Sequence, residues 1–264
     1  MKLFNIEKPI IGMIHVDALP GTPKYSGCVK SIIDKAKSEA LLYSSLGIKL
    51  LMIENMHDVP YLNRKVGSEI TSLMSVILYE IKNLTRLPVG IQILAGANKE
   101  ALAAAHSAGG DFIRAEGFVF SHIADEGFMN SDAGELLRFR KQIGAENIMV
   151  FTDIKKKHSS HSITSDTDII DTAKAAEFFL SDGLIITGSS TGEKPDISEI
   201  IKIKEKINLP VIAGSGMTQE NIQEYYEHCD GFIIGSFFKK GGKWFNELDP
   251  GRIEKFVKTI SSMK

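Results

Sequence analysis

A single (β/α)8 barrel is the fold this sequence predicts, and three observations carry the prediction. Eight short apolar runs alternate with eight amphipathic or alanine-rich segments along the chain. The 264 residues, 43% hydrophobic and 24% charged, suffice for one large core and sit near the roughly 250 residues typical of such a barrel; residues 1–264 therefore read as one domain. The loop after the first apolar run, LPGTPKYSG, lacks the G-x-G-x-x-G turn expected of a doubly wound open sheet, the structural alternative.

In chain order, the first unit is PIIGMIH (Pro9 to His15) and an amphipathic segment from about Val29 to Leu46. IKLLMIE (Ile48 to Glu54) precedes a helix from about Val66 to Leu84, and PVGIQIL (Pro88 to Leu94) precedes an alanine-rich helix near Asn98 to Ser107. DFIRAE (Asp111 to Glu116) and a helix from about Asp132 to Ile143 make the fourth unit; NIMVFTDI (Asn147 to Ile154) and Asp166 to Leu180 make the fifth. GLIITG (Gly183 to Gly188) with a helix near Ile197 to Lys206 is the sixth. LPVIAG (Leu209 to Gly214) with Gln219 to His228 is the seventh, and DGFIIGS with a helix near Pro250 to Ser261 closes the count. Short right-handed crossovers between such units imply parallel strands.

Composition excludes several function classes. The net charge is −2, and the lysines are dispersed apart from Lys155 to Lys157, so nothing points to nucleic acid. Cys28 and Cys229 are far apart and lack metal-ligand spacing, which suits a reducing compartment. The first strand begins by Pro9, leaving no room for a signal peptide, and no apolar run approaches the ~18 residues of a membrane span. A cytoplasmic protein is expected. No G-x-x-x-x-G-K-[ST] or nucleotide-cofactor motif is present.

The loops after strands one, two, four and five are long and carry most of the histidines. They lie at the C-terminal ends of the strands, where barrel active sites are built. Side-chain alternation puts Ile11, Met13, His15 and Asp17 on one face of strand one, and Leu50, Met52 and Glu54 on one face of strand two. On strand four it aligns Phe112, Arg114 and Glu116, and on strand five Met149, Phe151, Asp153 and Lys155. Ionisable groups thus cluster at the last inward positions, where each needs a partner, a metal or a substrate. Asp153 or Glu54 is the candidate acid or base. Lys155 is the candidate oxyanion stabiliser or amine nucleophile, and Arg114 the candidate anchor of a substrate anion. The plainer reading is that Arg114 and Glu54 are an ion pair plugging the barrel while Asp153 caps a loop. His15 is a general base or a satisfied end-of-strand residue. His57 sits near Glu54 and Asp58, which leaves a divalent metal open without an H-E-x-x-H pattern. In KKKHSSH, His158 and His161 belong to a flap or a solvated loop, and the lysines read as a solvated face.

PVIAGSGMT and DGFIIGSFFKKGG each break from a strand into small residues. Bare backbone N–H groups there form a cup for an anion, at the two loops that most often hold phosphate in such barrels. Gly214, Ser215, Gly216, Gly235 and Ser236 are the candidate phosphate ligands, extended by Gly188 and Ser189 of GSSTGE. The plainer reading is a set of tight turns. FKKGGKWF around Trp244 reads as a lid or an interface patch of a homo-oligomer.

The blocks KPIIGMIHVDALPGTP, IENMHDVPY, DFIRAEG, ELLRFRKQIGA, FTDIKKKHSSH, IITGSSTGEKPD, VIAGSGMTQEN and DGFIIGSFFKKGG with the following DPGRI resemble the BtpA/SgcQ family over nearly the whole length. The resemblance implies a barrel of the ribulose-phosphate-binding type. The family takes its name from a photosystem I biogenesis role, and other members are placed in carbohydrate metabolism without an agreed reaction. Where the family pattern carries an Asn/Asp-bearing segment resembling VLRND, this chain reads ILAGAN (Ile93 to Asn98), so no substrate role is carried to that loop. Two functions are expected in competition: an enzyme acting on a sugar or nucleoside phosphate by isomerase, epimerase, lyase or hydrolase chemistry, and a non-catalytic assembly factor.

Overall fold

The computed structural model describes residues 2–188 and 192–263. Eight parallel strands close into a barrel: β1 Ile10–His15, β2 Leu50–Glu54, β3 Val89–Gln92, β4 Phe112–Ala115, β5 Met149–Ile154, β6 Gly183–Ile186, β7 Val211–Ala213 and β8 Gly231–Ile234. Each strand pairs with its neighbours in sequence, and β8 returns to β1 through Ile233↔Ile11. The helices α1 Val29–Ser45, α2 Ser68–Thr85, α3 Asn98–Ala108, α4 Ala133–Gln142, α5 Ile169–Phe178, α6 Ile197–Lys206, α7 Ile222–Tyr226 and α8 Pro250–Ser261 follow the strands in turn.

Alternation along each strand divides two cores, as a closed sheet requires. Ile11, Met13, Leu50, Met52, Phe112, Phe151, Ile185, Ile212 and Ile233 fill the interior, while residues of opposite parity such as Leu51, Ile53, Val150 and Leu184 pack under the helices. Gly90 makes the interior layer fit, since a Cβ there would lie 2.2 Å from the Phe112 ring. α7 is one short turn-and-a-half rather than the Gln219 to His228 helix expected, because Asn221 uses its side chain on Thr218 N and the Gly216 carbonyl instead.

Two features were not expected from the sequence. A two-residue hairpin, Lys2–Leu3 against Ile6–Glu7, closes the N-terminal end of the barrel. Its Leu3 is 2% exposed within the interior cluster, and Phe4 lies 5.6 Å and 6.4 Å from the rings of Phe112 and Phe151. At the opposite end, the loops after β4 and β5 join in a three-stranded antiparallel sheet of His122–Ala124, Gly127–Met129 and Ser159–Ser160. Ser159 and Ser160 of the KKKHSSH segment are therefore paired backbone beside the barrel mouth.

Leu3 seals the bottom of the interior, so Leu3→Ala is expected to cost about 2–5 kcal/mol in urea unfolding. A change within the roughly 0.5 kcal/mol typical of surface substitutions would show that the hairpin is not part of the core.

Candidate active site

Strand register sets the first part of the site. His15 on β1 pairs with Glu54 on β2, which pairs with Gln92 on β3, so three polar side chains form a row across adjacent strands spaced about 4.8 Å apart. All three line a cavity of ≈ 380 Å³ at the C-terminal mouth. His15 Nδ1 lies 3.1 Å from the Trp244 carbonyl, which can only accept, so Nδ1 carries the proton and Nε2 holds a lone pair. Burial, then the Lys239 charge, lowers the His15 pKa to about 3. Burial likewise raises Glu54, against the charges of Arg114 and Lys157, and its carboxylate has no ion pair or hydrogen bond among the described residues. Gln92 is 2% exposed and its Oε1 has no hydrogen-bond partner among the described residues.

Arg114 and Asp153 form the second part. Arg114 Nε and Nη2 donate to the two Asp153 carboxylate oxygens, each at 2.8 Å, with side chains 6% and 1% exposed. Arg114 lines the cavity and Asp153 sits behind it. Asp153 therefore holds the guanidinium in place, while the free buried carboxylate is Glu54; the expected ion pair of Arg114 with Glu54 does not form.

The expected inward line of β5 breaks at Lys155. Its φ is +48°, a left-handed conformation that ends the two-residue alternation, and its ammonium donates to the Thr167 carbonyl, away from the cavity. The reversal turns Lys156 and Lys157 into the mouth, so these two lysines are not a solvated face. Lys156 pairs with Glu116 at 3.3 Å and Glu126 at 3.5 Å. Lys157 makes no ion pair among the described residues, and burial, then the Arg114 charge, lowers its pKa. Asp17 also falls outside the site: it lies past the end of β1 and pairs with Lys35 of α1 at 2.5 Å.

Gly214, Ser215, Gly216, Gly235 and Ser236 line the same cavity, joined by Met217, Phe237 and Arg252. The amides of Ser215, Gly216, Met217, Ser236 and Phe237 make no hydrogen bond to a described residue. The Ser215 hydroxyl is committed elsewhere, accepting from Gly188 N at 3.2 Å and donating to the Glu193 carbonyl at 2.9 Å. Gly188 does not line the cavity; a Cβ there would lie 2.6 Å from the Glu193 carbonyl oxygen. Ser189 lies outside the described residues. Gly216 is required twice, by φ +69° and by a virtual Cβ 2.2 Å from the Glu193 backbone.

Gln92, Lys156, Lys157, Glu126 and Arg252 were missed as site residues. Gln92 shares the face of Gly90 in PVGIQIL, a signal that alternation offered; the Lys155 reversal and the reach of Arg252 from α8 left none. The Trp244 ring lies 4.9 Å from His57, and its backbone holds His15, so that segment packs on the mouth. Among the described residues no three His, Cys, Asp or Glu side chains form a metal-binding group, His57 included. No helix among them is long and apolar enough to cross a membrane.

Replacing Asp153 by Asn strands the Arg114 charge, and an expected loss of about 3–5 kcal/mol in denaturant unfolding follows, whereas Lys155→Met is expected to lose far less. Equal losses would contradict the placement of Lys155. For His15 the folded pKa is depressed, so the unfolded chain protonates first as pH falls. Its contribution is present above 6.5 and lost between 6.5 and about 3. His15→Gln is expected to show a shallower acid-side fall in Tm across that window, and an unchanged slope would refute the buried neutral imidazole.

A relative from Caenorhabditis elegans, named an uncharacterized mitochondrial protein, is 48% identical over 100% of this chain and 97% of its own. The photosystem I biogenesis protein BtpA of Synechocystis is 29% identical, over 98% of this chain and 90% of that one. Among solved structures, a thiamine phosphate pyrophosphorylase of Pyrococcus furiosus superposes with TM-score 0.56 at 14% identity, covering 97% of this chain and 96% of that one. The N-(5'-phosphoribosyl)anthranilate isomerase of the same organism gives TM-score 0.58 at 14% identity, covering 97% and 99%. These two likenesses support the barrel fold. The BtpA family profile matches residues 6–262, and with that match the chain belongs to the BtpA family.

Proposed function

We propose that the protein is an enzyme acting on a small phosphorylated metabolite, a sugar or nucleoside phosphate, by acid/base chemistry at the barrel mouth. The observation that carries this reading is that one cavity joins five backbone amides to a polar row in which Glu54 and Gln92 Oε1, like those amides, have no hydrogen-bond partner among the described residues. Buried polar groups are normally satisfied, and leaving several bare costs stability unless a ligand pairs with them. The amides of the loops after β7 and β8, with the Arg252 guanidinium beside them, suit a phosphate dianion.

The opposite wall suits the rest of such a ligand. Glu54, its proton affinity raised by burial, is the group placed to transfer a proton. His15 Nε2 accepts a hydrogen bond from a hydroxyl, and Gln92 Oε1 accepts from another. Arg114 is held by Asp153 with its planar face and remaining N–H groups fixed, ready to orient developing negative charge. The names of the two superposed enzymes mention phosphate or phosphoribosyl groups, which agrees with this reading. An assembly factor, the reading suggested by the name of the Synechocystis relative, has no use for such a mouth. The expected cytoplasmic location stands as a proposal beside the mitochondrial name of the worm relative.

Thermal-shift and calorimetric titration with sugar phosphates, nucleoside monophosphates and their dephosphorylated parents tests the site. Phosphorylated compounds are expected to raise Tm while their parents do not, and Arg252→Met is expected to weaken binding by about tenfold, roughly 1.4 kcal/mol. Binding indifferent to the phosphate group, or to Arg252, would sink the proposal.

A further inference from the structure

Two adjacent lysines enter the mouth and are treated differently by their surroundings. Lys156 is neutralised by Glu116 and Glu126. Lys157 lines the same cavity with no ion pair among the described residues, although the charges of Glu54, Asp153, Glu116 and Arg114 all act on it. A lysine needed only for charge would be expected to settle on a carboxylate, as Lys156 does. Resting on the proposed phosphate site, we infer that Lys157 is an amine nucleophile that forms an imine with a carbonyl-bearing phosphorylated substrate, with Glu54 as its proton donor.

The surroundings fit that chemistry. Burial and the neighbouring guanidinium favour the neutral amine, the form with a lone pair to give. The Lys157 nitrogen attacks the carbonyl carbon, the carbonyl π bond breaks onto oxygen, and the proton shed by the nitrogen passes to that oxygen as the neutral carbinolamine forms. That hydroxyl then leaves as water, protonated by the Glu54 carboxyl, and the nitrogen becomes a protonated imine beside the Glu54 carboxylate. No oxidant or other reactant is required. The carboxylate so produced is the base for a carbon next to the imine, whose electrons the protonated nitrogen can hold. The substrate class is thus an aldose or ketose phosphate in its open-chain form, with its phosphate on the amides after β7 and β8 and its hydroxyls along Gln92 and His15. A buried Lys–Glu couple without direct pairing serves this cycle, because a fixed ion pair would remove both the lone pair and the donatable proton.

Borohydride trapping tests it. The protein is incubated with glyceraldehyde 3-phosphate, dihydroxyacetone phosphate or ribose 5-phosphate, reduced, and read by intact mass and peptide mapping. The expected result, with at least one of these, is a single adduct on Lys157 with the ligand's mass less one oxygen. It is lost in Lys157→Arg, kept in Lys155→Arg, and suppressed by excess inorganic phosphate. Each variant's Tm is measured to show that it is folded. Absence of any adduct, or an adduct on other lysines that persists in Lys157→Arg, overturns the imine. If sugar phosphates still raise Tm in that case, the phosphate site stands and only the nucleophile falls; if they do not, both fall.

Discussion

The bidentate pair of Arg114 and Asp153 is the constraint on which the mouth depends. It bridges β4 and β5 at the level where the apolar interior ends, directly above Phe112 and Phe151. Bringing both charges into the barrel is costly, and only near-ideal geometry offsets the desolvation. Because Asp153 takes Nε and Nη2 of the guanidinium, Arg114 pairs with it and makes no ion pair with Glu54. The pair thereby leaves Glu54 as a buried carboxylate of the cavity with no ion pair among the described residues. The same pair sets a floor: apolar packing below it, sealed by Leu3 and Phe4, and polar chemistry above it.

A second consequence follows one residue past β5. Had the strand continued in register, Lys155 would stand over Asp153 and compete with Arg114 for it. The left-handed turn at Lys155 removes that competitor and delivers Lys156 and Lys157 instead, over the side of the mouth nearer Glu116 and Glu54. The added strand Ser159–Ser160 pairs with the hairpin after β4, which anchors the segment just beyond the lysines. Backbone hydrogen bonds thus carry the ordering cost of two long, flexible side chains at the site.

The fold was legible because its signals are periodic and repeated. Strand parity placed Ile11, Met13, Leu50, Met52, Phe112 and Phe151 inside, and it put Glu54, Arg114 and Asp153 at one level of the barrel. It failed at Asp17 and Lys155, each one step past a strand end, where alternation no longer has a ladder to enforce it. The pairing partners within the site were less legible, since which of Glu54 and Asp153 takes Arg114 depends on strand stagger rather than on residue type. Gln92 was readable in principle and hidden by a short apolar run; Arg252 folds back from the first turn of α8 onto the Phe237 carbonyl in the loop after β8, a contact that no periodicity announces.

The glycines of the loop after β7 illustrate why the two readings of such residues are not alternatives. Gly216 is needed for a positive φ and for the close approach of the Glu193 backbone, and Ser215 ties its hydroxyl to that same loop. Those are structural roles. Yet by directing the Ser215 side chain outward and letting two loops touch, they leave the amides of Ser215, Gly216 and Met217 without described partners at the cavity wall. Tight turns and the proposed anion cup are therefore compatible, because the packing that makes the turn rigid also leaves those N–H groups ordered before any ligand arrives. The cup on β7 and β8 and the polar row on β1, β2 and β3 are adjacent around the barrel through β8 and β1. On the proposed reading, a ligand anchored by its phosphate extends over His15 first and reaches Glu54 and Gln92 beyond it. On that reading the substrate is ordered along the wall: the inert end at the glycines, then hydroxyl-bearing carbons, and the reacting carbon opposite Glu54 and Lys157.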